Sequence, residues 1–179
     1  MEVVNKVISH HLINGGISRF EKFKIYHKEF LGIKLTDQML QELCDQFSTL
    51  VINKVVDAPY TLGAYDFIRQ YYQKYSFHIV SATPQNEIEI IVKLKKLNKY
   101  FIEVLGSPEK KYRNINKIIS KYNLQLSEIC YIGDSINDYN AAKKSGIRFI
   151  GFCSIKNNNF PLDIEKIDSF NSFFRKIKL

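Results

Sequence analysis

The chain has 179 residues, 45% of them hydrophobic, which suits one compact core with a small accessory unit. No apolar run approaches the roughly 20 residues that a membrane span needs. The formal net charge of +8 is scattered, with local runs only at 93–99 and 110–113, so it reads as solvated helix faces rather than a nucleic-acid groove.

The opening stretch mixes Glu2, Lys6, His10 and His11 among its apolar residues. It has no signal-peptide core, and a cytoplasmic protein is expected. Val3, Val4, Val7, Ile8 and His11 share one helical face. Gly15-Gly16 breaks that helix. Ser18, with Glu21 three residues on, opens a second helix that runs to Leu31 and ends at Gly32. Thr36-Asp37 opens a long third helix with Leu40, Leu43, Cys44, Phe47, Leu50 and Val51 on its inner stripe. Pro59 closes this all-helical block.

From Thr61 the pattern changes. A helix is expected over 63–75, a strand over 77–80, a helix over 86–97 and a strand over 101–105. A helix starting near Lys111 runs to Tyr122. A strand over 129–132, a helix over 137–145 and a strand over 148–152 follow. A polar turn at 156–159 and a final amphipathic helix near 169–177 complete the chain. Strands alternating with helices indicate βα units and a parallel sheet. The organisation is a helical unit, 1–60, followed by an α/β unit, 61–179. The cysteines Cys44, Cys130 and Cys153 lie far apart and read as reduced thiols.

Three segments carry chemistry. In the run from Tyr131 to Ala142 a strand ends at Asp134, and Asp138 falls in the first turn of the next helix. Ligands of open α/β sheets bind at the carboxyl ends of strands, and two carboxylates there suit Mg²⁺. The plain alternative is that Asp134 ends a strand and Asp138 caps a helix. In Ser81-Ala82-Thr83-Pro84 a hydroxyl and exposed N–H groups follow a strand, an arrangement that can hold a phosphoryl oxygen and is also an ordinary turn. Lys110-Lys111 opens a helix after the strand over 101–105 and either neutralises phosphoryl charge or lies on solvated surface.

In this order and spacing the three segments resemble the second, third and fourth motifs of the haloacid dehalogenase-like (HAD) superfamily. The resemblance matches Ser81 to the motif II hydroxyl and Lys111 to the motif III lysine, with Lys110 the alternative register. It matches Asp134 and Asp138 to the motif IV acidic pair that holds Mg²⁺. Residues 3–59 resemble the helical C1-type cap of phosphoglycolate-phosphatase-like members. Within it Gly15-Gly16-Ile17-Ser18-Arg19-Phe20 is similar to a cap loop facing the active site. There Arg19 either pairs with an anionic substrate, or lies on the surface beside a helix break.

The resemblance implies a Mg²⁺-dependent phosphatase of small phosphorylated metabolites. In such enzymes the phosphoryl group passes to an aspartate and is then hydrolysed from it. Ser81, Ala82, Thr83, Lys111 and Arg19 are the expected substrate contacts, and Asp134 and Asp138 the expected metal ligands. The motif I Asp-x-Asp, which supplies the nucleophile, occurs nowhere in the chain. Its strand lies between those ending at Ser81 and Asp134 in the family's sheet. A parallel sheet lacking its central strand is therefore expected, in an N-terminally truncated chain that is inactive as it stands. The competing expectation is a non-catalytic binding or interaction protein of the same fold. Oligomeric state is left open.

Overall fold

The computed structural model describes residues 2–153 and 160–173. The polar turn expected at 156–159 and the end of the last predicted helix lie outside them. Three helices come first: α1 (Glu2–Ile13), α2 (Arg19–Ile25), which continues as a π-helical turn (Tyr26–Leu31), and α3 (Asp37–Asp57). Capping places their starts. The Ser18 hydroxyl accepts from the Glu21 N–H, and the Thr36 hydroxyl from the Met39 N–H. Gly32 ends the second helix in the left-handed region at φ 69°.

The rest alternates: α4 (Ala64–Tyr71), β1 (His78–Pro84), α5 (Gln85–Leu94), β2 (Glu103–Ser107), α6 (Lys111–Tyr122), β3 (Cys130–Gly133), α7 (Ile136–Lys144), β4 (Arg148–Phe152) and β5 (Glu165–Ile167). β4 has the bounds that the sequence predicts. β1 is longer than predicted, so Ser81 lies within the strand rather than beyond its end. β5 was not anticipated. It pairs in parallel with β4 from Ile150↔Glu165 to Phe152↔Ile167, and Arg148 reaches Glu165 at 2.7 Å beside the ladder.

The strands form two separate parallel sheets, β1-β2 and β3-β4-β5. Among the described residues no ladder joins β1 to β3. Apolar packing holds the halves together. Ile115, Ala141, Ala142, Ile147, Phe149 and Phe160 form one buried cluster, against which Val80 of β1 and Tyr131 of β3 both pack. Phe67, Ile150, Ile167 and Phe173 form a second. Val92, Leu97 and Tyr100 form a third, behind β1 and β2.

The helical block is much less buried than its patterning implies. No residue of α1 is buried, and Leu12 is 72% exposed. Of the stripe expected on α3 only Leu40 and Cys44 are buried, while Leu50 is 69% exposed. Helical periodicity reports which side chains share a face. Whether a neighbour covers that face depends on contacts distant in sequence.

Candidate functional site

The candidate site lies at the carboxyl ends of the strands. β3 runs into Asp134, and Ser135 caps α7. The Ser135 hydroxyl accepts from the Asp138 N–H, and Asp138 answers as the third residue of a complete capping box. This places Asp138 in the dipole-favoured first turn and buries it, with 6% of its side chain exposed.

Both Asp138 oxygens are fully engaged. Oδ1 accepts from Lys111 Nζ at 2.6 Å and from the Tyr131 hydroxyl at 2.9 Å. Oδ2 accepts from Ser135 Oγ at 2.6 Å and from the Ser135 N–H at 3.1 Å. An ionised carboxylate has about four lone-pair sites, and all are used. Asp134 contrasts with it. Asp134 is exposed and makes no hydrogen bond or ion pair with any described residue. The sequence treats the two aspartates as one metal-binding pair, and the structure gives them different surroundings. Asp138 is saturated by protein groups, while Asp134 keeps its acceptor capacity for a ligand.

Burial, with the nearby charge of Asp138 second, pushes the Tyr131 hydroxyl far above the usual phenol range. It therefore stays protonated and is a permanent donor. Its one proton has two acceptors in reach, Asp138 Oδ1 and the Val80 carbonyl at 3.0 Å on β1.

Lys111, at the first position of α6, has 13% of its side chain exposed. It borders a cleft of about 260 Å³ between the helical block and the α/β part. Gly16, Ile17 and Ser18 line the cleft from one side, and Ala82, Ser107, Lys110, Lys111 and Asn137 from the other. The Gly15–Gly16 turn lies directly over the site. Gly15 O accepts from Asn137 Nδ2 at 2.6 Å. A Cβ on Gly16 would stand 2.4 Å from Ser135 Oγ and 3.1 Å from Lys111 Nζ.

Other predicted site residues are placed differently. The Ser81 hydroxyl donates to Thr83 Oγ1 at 3.0 Å and accepts the Thr83 N–H at 3.1 Å, so the two close on each other. Of Ser81, Ala82 and Thr83, only Ala82 lines the cleft. Arg19, expected at the substrate or on the surface, has protein partners in this structure. Its guanidinium forms a bidentate pair with Glu87 at 2.6 and 2.7 Å, and also donates to Ser48 Oγ at 2.6 Å. It is neither turned to the cleft nor loose on the surface. Tyr131, Asn137 and Glu87 were not singled out from sequence. The Ser135–Asp138 spacing was a readable capping signal.

The profile of the haloacid dehalogenase-like hydrolase family matches residues 14–152. The chain belongs to that family. Among curated HAD relatives, phosphoglycolate phosphatase of Vibrio parahaemolyticus serotype O3:K6 is 30% identical over 99 residues, covering 52% of this chain and 43% of that protein. The chain thus matches less than half the length of that relative. The fold is shared with solved HAD structures. A predicted phosphoglycolate phosphatase from Haemophilus somnus superposes with a TM-score of 0.71 at 20% identity, over 96% of this chain and 80% of that one. The magnesium-bound HAD-hydrolase YfnB from Bacillus subtilis superposes with a TM-score of 0.67 at 17% identity, over 97% and 79%.

Proposed function

We propose that the chain grips a phosphate monoester beside Lys111, as the phosphate-binding part of a Mg²⁺-dependent phosphatase of small phosphorylated metabolites. The observation that carries this reading is the Lys111–Asp138 pair at 2.6 Å on the edge of the cleft. A buried, fully satisfied carboxylate fixes an ammonium before any ligand arrives. Positive charge oriented in advance is what phosphoryl transfer requires of a protein. Ala82 brings the end of β1 to the same cleft. The Ser81 hydroxyl would leave Thr83 for a phosphoryl oxygen.

The donor set fits Mg²⁺ at Asp134. That ion keeps several waters and takes one or two carboxylates together with substrate phosphate. Asp134 is free to serve, and Asp138 is not. When bound, the ion would neutralise charge on the phosphoryl oxygens. Asp138 then acts through Lys111, holding its ammonium in place. The helical unit, 1–60, would serve as a cap over an α/β core, 61–179. The curated relative is a phosphoglycolate phosphatase, and a cleft of about 260 Å³ suits a substrate of that small size.

Hydrolysis needs a nucleophile as well, and the chain contains no Asp-x-Asp. The 179 residues alone are therefore expected to bind phosphate without turning it over. A second reading, a non-catalytic binding protein of this fold, is favoured by the separated sheets, in which β1 and β3 share no ladder among the described residues. Mg²⁺-dependent hydrolysis of p-nitrophenyl phosphate decides between the two. It should be run on this chain and on a version preceded by a strand ending in Asp-x-Asp. Turnover only in the extended version supports the phosphatase. Turnover by neither favours the binding protein, and turnover by the chain alone contradicts the assignment of the nucleophile.

A further inference from the structure

Arg19 is engaged on every side by protein groups, yet it lies outside the cleft. It is the first residue of α2, Ser48 lies on α3 and Glu87 on α5, so three helices converge on one guanidinium. Arg19 Nη1 and Nη2 donate to the two Glu87 oxygens at 2.6 and 2.7 Å, and the Ser48 hydroxyl donates to Glu87 Oε2 at 2.5 Å. A long bond of 3.4 Å runs to the Cys44 carbonyl, and the guanidinium stacks 4.6 Å from the centre of the Phe47 ring. Glu87 is only 4% exposed. It occupies the first turn of α5, where the helix dipole favours a carboxylate.

This pair joins the helical block to the α/β part just three residues after Gly16. Between Gly16 and Arg19, Ile17 and Ser18 line the cleft. A bidentate arginine fixes direction as well as distance. Asn137 holds Gly15 from the other side. We propose that Arg19 and Glu87 are positioning residues: their ion pair is the clasp that seats the Gly15–Ser18 turn as a roof over Lys111. The functional meaning of that roof rests on the phosphate-site reading, and the clasp itself does not. A buried ion pair often adds little net stability over an apolar pair of like size, while fixing one arrangement among several. The clasp therefore selects the closed seat of the helical block more than it stabilises the fold.

Lys111 reports the seat directly, since its amine is shielded beneath Gly16. The experiment is acetylation of the native chain with an N-hydroxysuccinimide ester, read by mass spectrometry at Lys111. Exposed Lys117, on the same helix, serves as internal reference. Glu87→Gln and the double variant Arg19→Met/Glu87→Met are compared with wild type, with thermal unfolding recorded for each. The double variant leaves no unpaired charge behind, so it tests the seat without relying on the single variant's stability. Lys111 labelling is expected to rise about tenfold relative to Lys117 in both variants, with the double variant still folding cooperatively. Wild-type labelling of Lys111 in the folded double variant overturns the proposal, because the roof then sits without its clasp. Inorganic phosphate is added in a separate arm. Failure of phosphate to protect wild-type Lys111 overturns the phosphate-site reading and leaves the clasp result standing.

Discussion

The Tyr131 hydroxyl on β3 lies 3.0 Å from the Val80 carbonyl on β1, across the line where the two sheets fail to meet. The same oxygen lies 2.9 Å from Asp138, so one side chain ties sheet to sheet and both to the site. Tyr131→Phe keeps the ring in the core and removes this donor alone. Destabilisation of about 1–3 kcal/mol is expected, the range for stranding buried acceptors. Urea unfolding followed by circular dichroism measures it. A change within error would show that apolar packing alone holds the sheets together.

Asp134 and Asp138 are predicted to part ways on mutation. Lys111→Met strips Asp138 of its counter-charge, and breaking a buried pair in this way costs about 3–5 kcal/mol. Asp134→Asn touches an exposed side chain without described partners, and stability should change by no more than about 0.5 kcal/mol. Yet Asp134→Asn should weaken Mg²⁺-dependent phosphate binding by about tenfold or more, since it removes the free carboxylate. Denaturant melts paired with calorimetric titration separate the two effects. Equal stability losses from Lys111→Met and Asp134→Asn would contradict the division of roles.

How much of this was legible follows from what is local. The Asp134–Asp138 spacing, the Ser18 and Thr36 caps, the start of α6 at Lys111 and the bounds of β4 are all set within a few residues of chain, and the sequence displays them. β5 has three residues, too few to show a period, and its identity depends on β4 lying beside it. The partner of Arg19 is Glu87, 68 positions away, and no local pattern announces such a pairing. The exposed stripe of α3 misleads for the same reason, because amphipathicity does not say whether another helix covers it. The separate fates of Asp134 and Asp138 depend on Tyr131 and Lys111, which converge on Asp138 only after folding.

Gly16 and Gly32 both sit in the left-handed region, at φ 76° and 69°. An alanine in either place pays the backbone strain of about 1 kcal/mol. At Gly32 nothing lies within 4 Å of the added carbon, so strain is the whole effect. At Gly16 the carbon would meet Ser135 Oγ, which is committed to Asp138. Gly16→Ala is expected to lose at least about 1 kcal/mol more than Gly32→Ala, and to weaken phosphate binding as the turn lifts from Lys111. Thermal melts and phosphate titration of the two variants make the comparison. Matching losses, with phosphate affinity intact, would mean that the turn does not roof the site.

His78 gives the fold an acid-sensitive point far from the cleft. It pairs in register with Glu103 at the start of β1, and neither ring nitrogen has a hydrogen-bond partner among the described residues. Burial lowers its pKa, outweighing the opposing pull of Glu103. A group whose folded pKa lies below its unfolded value binds fewer protons folded than unfolded. Its stabilising contribution is complete above the unfolded value of about 6.5 and is lost as pH falls through the folded one. Glu103 is also held below the usual carboxylate range, chiefly by its hydrogen bond from Lys121, and adds a second loss in more acid solution. His78→Phe should therefore flatten the decline in stability just below about pH 6.5 and leave the carboxylate-driven decline at lower pH in place. Urea midpoints measured from pH 4 to 8 for both proteins test this. An unchanged slope below pH 6.5 in His78→Phe would place the acid-sensitive group elsewhere.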